Sequence, residues 1–184
     1  MHLQPVILDR DRLEHFQSHL MLYFTGFSRF ASEIAGDQIR NTHRKKPELA
    51  AMGAMVDRAL EILAGCQDLG EFGKLLGESW RLKRNLSDRI ATPQIDDIYD
   101  TALAAGALGG KLLGAGGGGF MLLFARPEDQ PKIREKLRDL LLVPFRFETG
   151  GSQIVFYDSG AMDRDFRPQT PRVQPRAWES IPRS

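Results

Sequence analysis

Lys111-Leu-Leu-Gly-Ala-Gly-Gly-Gly-Gly-Phe120, followed directly by Met121-Leu-Leu-Phe-Ala125, is the most informative segment of this chain. Glycine occupies five of the nine positions from 110 to 118, which is costly in backbone entropy inside a folded segment. Such turns occur where peptide N–H groups approach an anion, because glycine adopts positive φ and has no Cβ. The segment predicts a phosphate-binding loop, and the structural alternative is a glycine turn that lets a helix pack closely on a sheet.

Two common phosphate-binding motifs do not fit this segment. Gly114, Gly116 and Gly119 have the G-x-G-x-x-G spacing of dinucleotide-binding folds, but that motif follows a strand and opens a helix. Here the glycines precede residues 120–124, a continuous apolar run of strand length. A Walker A loop ends in Gly-Lys-Ser/Thr, whereas Lys111 precedes the glycines. What remains is a glycine loop between a helix and a strand, with a cation at its entrance.

The composition excludes several classes of protein. The chain has 184 residues, enough for one domain with a core, and its 25 basic and 24 acidic residues provide no electrostatic case for binding nucleic acid or an anionic membrane. The single cysteine, Cys66, excludes an internal disulfide and a cysteine zinc cluster, and it favours a cytoplasmic location. No leader peptide and no apolar run of about 20 residues is found, so we expect a soluble protein.

Hydrophobic spacing predicts the order strand, several helices, strand, helix, strand, strand. Strands are predicted over residues 19–25, 120–125, 145–148 and 154–157, and helices over about 29–40, 47–64, 68–85, 92–105 and 127–143. This order indicates an α+β fold of ferredoxin-like type, an antiparallel sheet with helices on one face and a helical insertion. Residues 1–18 are expected to be a linker or remnant, 19–158 the domain, and 159–184 a disordered, basic, proline-rich tail.

No metal site is predicted from the acids or the histidines. The acids at 96, 97 and 100 lie near a helix N-terminus, where the dipole favours them without a metal. The histidines at 2, 15, 19 and 43 have no spacing typical of a metal pair. Trp80 is expected in the core, although a sugar-stacking role is the alternative.

The segment Lys111-x-x-Gly-Ala-Gly-x-Gly-Gly-Phe resembles the third signature motif of the GHMP small-molecule kinases, which include galactokinase, homoserine kinase, mevalonate kinase and phosphomevalonate kinase. Within this family the chain is most similar to the D-glycero-D-manno-heptose 7-phosphate kinases, with fucokinase-like enzymes close by. The supporting segments are residues 22–32, 80–86, 92–99 and 150–155, in this order. The resemblance covers about residues 5–158 and implies the C-terminal domain of such a kinase.

The family's first two motifs have no counterpart in these residues. They are an N-terminal sugar-binding segment and a Pro-x-x-x-Gly-Leu-Gly-Ser-Ser loop that wraps the nucleotide phosphates. Because the family places its principal ATP loop and catalytic aspartate there, we expect half of an enzyme with no catalytic residue of its own. ATP and Mg²⁺ are expected only with an N-terminal domain. The expected partners are that N-terminal half, or another copy, through an exposed apolar face, together with a small-molecule sugar phosphate.

The resemblance also implies site residues. The phosphate or nucleotide loop would comprise Lys111, Gly114, Ala115, Gly116, Gly117, Gly118 and Gly119. Thr25, Ser28 and Arg29 would lie near the sugar, although helix capping explains Ser28 without a ligand. Arg81, Lys83 and Arg84 would hold the sugar's own phosphate, whereas the helix dipole alone also favours a basic C-terminal turn.

These observations lead to one functional expectation and two alternatives. We expect the C-terminal domain of an ATP-dependent sugar-phosphate kinase that acts on a sugar hydroxyl and is inactive without an N-terminal half. One alternative is a free-standing fragment that needs a separately encoded N-terminal half. The other is a non-catalytic ligand-binding or regulatory module with a ferredoxin-like sheet.

Overall fold

The computed structural model describes residues 6–27, 31–148 and 150–152. All described helices and strands lie in a unit that spans Met1–Phe147, and Glu148–Ser184 form a second unit. The elements are α1 (Arg10–Ser18), β1 (Leu20–Phe24), α2 (Ala31–Asn41), α3 (Lys46–Ala64), α4 (Gly70–Arg84), α5 (Pro93–Ala104), β2 (Ala107–Leu112), β3 (Phe120–Ala125), α6 (Gln130–Lys136) and β4 (Leu141–Leu142). None of the helices in the described part of the chain has the length and continuous apolarity that a bilayer span requires.

One antiparallel sheet organises the larger unit, with its strands in the order β2-β3-β1-β4. Strand β1 pairs with β3 along its whole length, from Leu20 opposite Phe124 to Phe24 opposite Phe120. Strand β2 pairs with the other side of β3, and the short β4 pairs with the free side of β1. Helices α2 to α5 are inserted between β1 and β2. The predicted α+β fold with an antiparallel sheet and a helical insertion is confirmed.

Two apolar clusters pack against the sheet. Because side chains alternate between faces along a strand, Met121 and Leu123 of β3 enter one cluster and Phe124 enters the other. The larger cluster contains Trp80, which is fully buried as the core prediction requires, together with residues of α5 and α6. The smaller cluster contains Phe16 of α1 and residues of α3 and α4. Helices therefore also pack on part of the second face, which the sequence does not predict.

Helix α4 approaches β2 at backbone distance. A Cβ built at Gly109 of β2 would lie 1.9 Å from the carbonyl oxygen of Gly73 and 2.9 Å from the amide nitrogen of Gly77. All three residues are buried. Glycine at 109 therefore allows the close approach of strand and helix, and the contact fixes where the basic last turn of α4 lies relative to β2.

Two predictions about the elements are wrong. The sequence predicts that a helix leads directly into the glycine loop, but residues 107–112 form β2, so the loop joins two antiparallel strands. The sequence also predicts a strand over residues 145–148, which are irregular. There the Gln17 side chain takes the place of a neighbouring strand: its Nε2 donates to the Phe145 carbonyl at 3.3 Å, and its Oε1 accepts from the Phe147 amide at 2.9 Å.

Other differences lie at the ends of elements. Helix α6 is shorter than the predicted helix over 127–143, and Leu141, within that predicted helix, lies instead in β4 and is 65% exposed. Residues 10–18, within the predicted linker, form α1, whose first turn is capped by Asp9 Oδ1 accepting from the Arg12 amide at 2.7 Å. Ser28, Arg29, the predicted strand over 154–157 and the predicted tail over 159–184 lie outside the described residues.

Candidate functional site

The glycine loop, residues 113–119, connects β2 to β3. Its five glycines have φ between 70° and 147°, a region that other residues rarely adopt. At two positions the space is also restricted. A Cβ at Gly116 would lie 2.9 Å from Ile90 Cα, and a Cβ at Gly118 would lie 2.6 Å from the Phe27 carbonyl oxygen. The loop backbone therefore packs directly on the chain segments after β1 and α4.

Two glycine N–H groups of the loop are bound inside the domain. Gly117 donates to the Ile90 carbonyl at 2.8 Å, and Gly119 donates to the Phe27 carbonyl at 2.8 Å. The Gly119 amide also lies 3.1 Å from Thr25 Oγ1. Thr25, predicted to contact substrate, is 3% exposed, and its hydroxyl lies 3.0 Å from the Gly119 carbonyl oxygen. The structure thus places Thr25 as an anchor that ties the loop to β1.

Two side chains bind carbonyl groups of the loop and of the residue before it. Lys83 Nζ donates to the carbonyls of Leu112 at 2.8 Å and Gly114 at 2.6 Å. Gln38 Nε2, from α2, donates to the Ala115 carbonyl at 2.6 Å. Sequence reasoning missed Gln38, because an isolated glutamine on a helix has no local signal of a long-range contact. These donors hold one side of the loop backbone against the domain.

Peptide geometry turns other N–H groups of the loop away from these anchors. The C=O and N–H of a trans peptide point in opposite directions, and no described peptide bond is cis. The Ala115 N–H therefore faces away from Lys83, and the Gly116 N–H faces away from Gln38. Within the described residues, the N–H groups at 114, 115, 116 and 118 have no hydrogen-bond acceptor. Successive N–H groups of this kind form an anion-binding concavity.

The basic residues predicted to hold a sugar phosphate lie in different environments. Lys83 is 8% exposed, and burial, followed by the positive charge of Lys111, lowers its pKa to about 8. Arg84 Nη2 binds Asp96 Oδ2 at 2.8 Å, and its guanidinium lies 5.9 Å from the Trp80 ring centroid. Arg81 is exposed. Lys83 and Arg84 thus bind groups of the domain itself, whereas Arg81 faces solvent.

Lys111 lines an apolar groove of about 490 Å³ between α3 and α4. Its Nζ lies 3.3 Å from Ser79 Oγ of α4, and burial lowers its pKa. It is close enough to Lys83 for its charge to lower the pKa of that ammonium. The two lysines therefore place positive charge beside the strand that leads into the loop. In the described part of the chain, no group of three or more His, Cys, Asp or Glu residues is placed to hold a metal ion.

An apolar row crosses the sheet beside the loop. Phe24 is paired with Phe120 on one side and with Leu141 on the other, and the Leu113 amide donates to the Phe120 carbonyl at 2.8 Å. Because paired residues share a face of the sheet, these four side chains form one row. Leu113 is 36% exposed, Phe120 42% and Leu141 65%. The glycine loop is therefore bordered by an uncovered apolar surface, which we call the apolar row.

Comparison with known proteins gives consistent matches. Residues 58–141 match the family model described as GHMP kinases C terminal. The D-glycero-alpha-D-manno-heptose 7-phosphate kinase of Campylobacter jejuni is 32% identical over 124 residues, which cover 66% of this chain and 36% of that kinase. The mevalonate kinase of Pyrococcus abyssi is 31% identical over 135 residues, which cover 70% of this chain and 40% of that kinase.

A solved structure has the same fold. The phosphomevalonate kinase of Streptococcus pneumoniae superposes with a TM-score of 0.59 at 18% identity, covering 68% of this chain and 38% of that structure. The chain spans about two fifths of the length of the two named kinases from Campylobacter jejuni and Pyrococcus abyssi.

Proposed function

Since residues 58–141 match the family model of the C-terminal domain of the GHMP kinases, we propose that this chain forms one half of an ATP-dependent kinase that phosphorylates a sugar phosphate. The observation that supports this is the set of loop N–H groups without an acceptor among the described residues, above all those at 115 and 116, which point away from the Lys83 and Gln38 side chains. Phosphoryl transfer depends on positioning and on stabilising negative charge, which such N–H groups provide. The proposed half is inactive until an N-terminal half supplies the main ATP loop and the catalytic aspartate.

The loop fits an approaching phosphate sterically. A Cβ built at Gly114 or at Gly119 meets no atom within 4 Å, so the loop is open at both of its ends. ATP with Mg²⁺, when bound by both halves, supplies the phosphoryl group. The residues of this chain would bind a phosphate oxygen through the N–H groups of Ala115 and Gly116.

The apolar row supports a partner surface for the N-terminal half. Leu113 and Phe120 directly flank the glycine loop, so a lobe that covers them also approaches the loop. Exposed contiguous apolar surface next to a polar site is typical of an interface. A second copy of the chain is the alternative occupant, and its presence would make the isolated chain dimeric.

The substrate is proposed from the relatives. We favour a heptose 7-phosphate because the Campylobacter jejuni relative carries that substrate in its name, and mevalonate is the competing acceptor because of the Pyrococcus abyssi relative. Arg81, exposed on the last turn of α4, is the candidate for binding the phosphate already on the sugar. A cytoplasmic location is part of the proposal and is supported by the single cysteine.

A chimera tests the proposal. Residues 6–152 replace the matching C-terminal segment of the Campylobacter jejuni kinase, and ADP release is measured with heptose 7-phosphate and with mevalonate. We expect activity with heptose 7-phosphate. Gly116→Ala should lower the rate at least about 100-fold, because its Cβ would lie 2.9 Å from Ile90 Cα and its φ of 117° does not suit alanine, so the loop N–H groups would be displaced as if a transition-state donor were lost. Gly53→Ala is the matched control, because a Cβ at this exposed glycine of α3 meets no atom within 4 Å.

The outcomes separate the competing functions. A folded chimera that transfers phosphate to neither acceptor, together with metabolite binding by the isolated chain, would establish a non-catalytic module. Transfer to mevalonate alone would retain the kinase and change its substrate. Equal rates for the two glycine variants would remove the glycine loop from the mechanism.

A further inference from the structure

We propose that Lys83 is the positioning residue of the glycine loop: its buried ammonium holds the carbonyls of Leu112 and Gly114 inward, which directs the Leu113 N–H to its partner in the hairpin and the Ala115 N–H outward. That the outward side receives a phosphate rests on the proposed function. The positioning itself is a property of the chain alone and is tested without ATP or a partner.

The geometry joins three parts of the domain at one atom. Lys83 lies in the last turn of α4, and its Nζ is 2.8 Å from the carbonyl oxygen at the end of β2 and 2.6 Å from that of the first glycine of the loop. An ammonium has three donors and no acceptor, so two of the three are used on this backbone. The loop entrance is thereby fixed to the helix.

Each of these carbonyls controls the direction of the next N–H. With the Leu112 carbonyl held by Lys83, the Leu113 N–H points the opposite way, and it donates to the Phe120 carbonyl at 2.8 Å, which closes the hairpin. With the Gly114 carbonyl held, the Ala115 N–H is the corresponding group that faces away. Lys83 therefore sets both the hairpin closure and the first outward donor.

A buried ammonium without a carboxylate partner is unfavourable for folding. No described Asp or Glu forms a salt bridge with Lys83, and burial together with the charge of Lys111 lowers its pKa. A methionine would fill similar space without that penalty but would leave two carbonyls without a donor. The presence of a lysine at position 83 is therefore explained by its hydrogen bonds to the carbonyls of Leu112 and Gly114.

Site-resolved amide exchange on the full ¹⁵N-labelled chain tests the proposal. In Lys83→Met, we expect the amides of Leu113, Gly117 and Gly119 to exchange at least about tenfold faster than in the wild type, since each hydrogen bond to a charged group contributes about that factor. The carbonyl ¹³C shifts of Leu112 and Gly114 should also move. Amides in the β1–β3 ladder should keep their wild-type rates.

Lys74→Met is the matched control, because Lys74 lies on the same helix, is exposed and pairs with Glu71 at 2.7 Å. It should leave the loop amides unchanged. A uniform change across the sheet in Lys83→Met, or unchanged loop amides, would overturn the positioning role. If Lys83→Met does not fold, hydrogen exchange of the Lys83 ammonium is measured in the wild type instead. A slowly exchanging ¹⁵Nζ signal supports the proposal, and rapid exchange like that of Lys74 overturns it.

Tripolyphosphate titration separates this inference from the proposed function. In the wild type, the amide signals of Ala115 and Gly116 should shift on addition of tripolyphosphate, and in Lys83→Met they should shift much less. Loop loosening in the variant with no tripolyphosphate response in the wild type would uphold the positioning role and refute the phosphate role. A tripolyphosphate response that is the same in both proteins would refute the positioning role.

Discussion

Gly109→Ala should destabilise this domain strongly, although alanine suits a strand better than glycine does. The φ of Gly109 is not among the positive values of the described residues, so the backbone conformation itself accepts alanine. The space does not. The new Cβ would lie 1.9 Å from the Gly73 carbonyl oxygen and 2.9 Å from both the Gly73 carbonyl carbon and the Gly77 amide nitrogen.

The magnitude follows from which atoms clash. A carbon and an oxygen in contact are normally more than about 3 Å apart, so α4 must move by more than about 1 Å from β2. No flexible side chain lies between the two backbones to absorb this shift. Overpacking of this kind costs about 1–3 kcal/mol and more where the backbone must move, so we expect a loss of at least about 3 kcal/mol.

Urea unfolding followed by circular dichroism measures the effect. Gly53→Ala on α3 is the matched control, because its Cβ would meet no atom within 4 Å and the residue is exposed. In a helix this change should stabilise the chain by about 0.5–1 kcal/mol. The same chemical change should therefore have opposite signs at the two positions.

If Gly109→Ala lowers the free energy of unfolding by less than about 1 kcal/mol, the domain relaxes more easily than close backbone packing allows. The contact between α4 and β2 would then not fix the position of the helix.

Two further predictions concern charge and surface. The pKa of Lys83 in the folded chain, about 8, lies below its ordinary value, so the unfolded chain binds more protons between these values and stability rises with pH there. The unfolding free energy of the wild type, relative to that of Lys83→Met, should rise by about 2 kcal/mol from about pH 7.5 to 10. Urea titrations that give the same difference at both pH values would contradict this. Phe120→Ser should weaken any self-association of the isolated chain seen by sedimentation, because Phe120 is 42% exposed in the apolar row, and it should cost about 1 kcal/mol of stability, because its ring also lies 5.4 Å from that of Phe24. Undiminished self-association would show that another surface mediates it.

Most of the described elements could be predicted from local patterns. The apolar runs at β1 and β3 and the helical spacing of α3, α4 and α5 each bury a face that the sequence already shows. Strand β2 could not be predicted, because Gly109 and Gly110 read as helix-ending residues when only their neighbours are considered. Gly109 lies against α4, a contact set by residues about 30 positions away, and Gly110 pairs with Leu123 of β3.

The site was also predictable only where local sequence determines it. The glycines of the loop indicate an unusual backbone conformation, and all five have positive φ. The basic turn of α4 was also visible, but the sequence does not indicate that Lys83 turns inward while Arg81 faces solvent. That depends on how the helix is rotated against β2. Whether Arg81, Lys111 and the loop N–H groups bind ligand stays a prediction.

The near contact between Gly109 and α4 has a mechanical consequence. Between most packed elements, side chains act as a compliant layer that lets one element slide slightly without dragging the other. Here that layer is missing, and Lys83 adds a second link from the same helix to the end of the hairpin. Helix α4 and the β2–β3 hairpin should therefore move as one rigid body, so that a displacement of α4 also displaces the glycine loop.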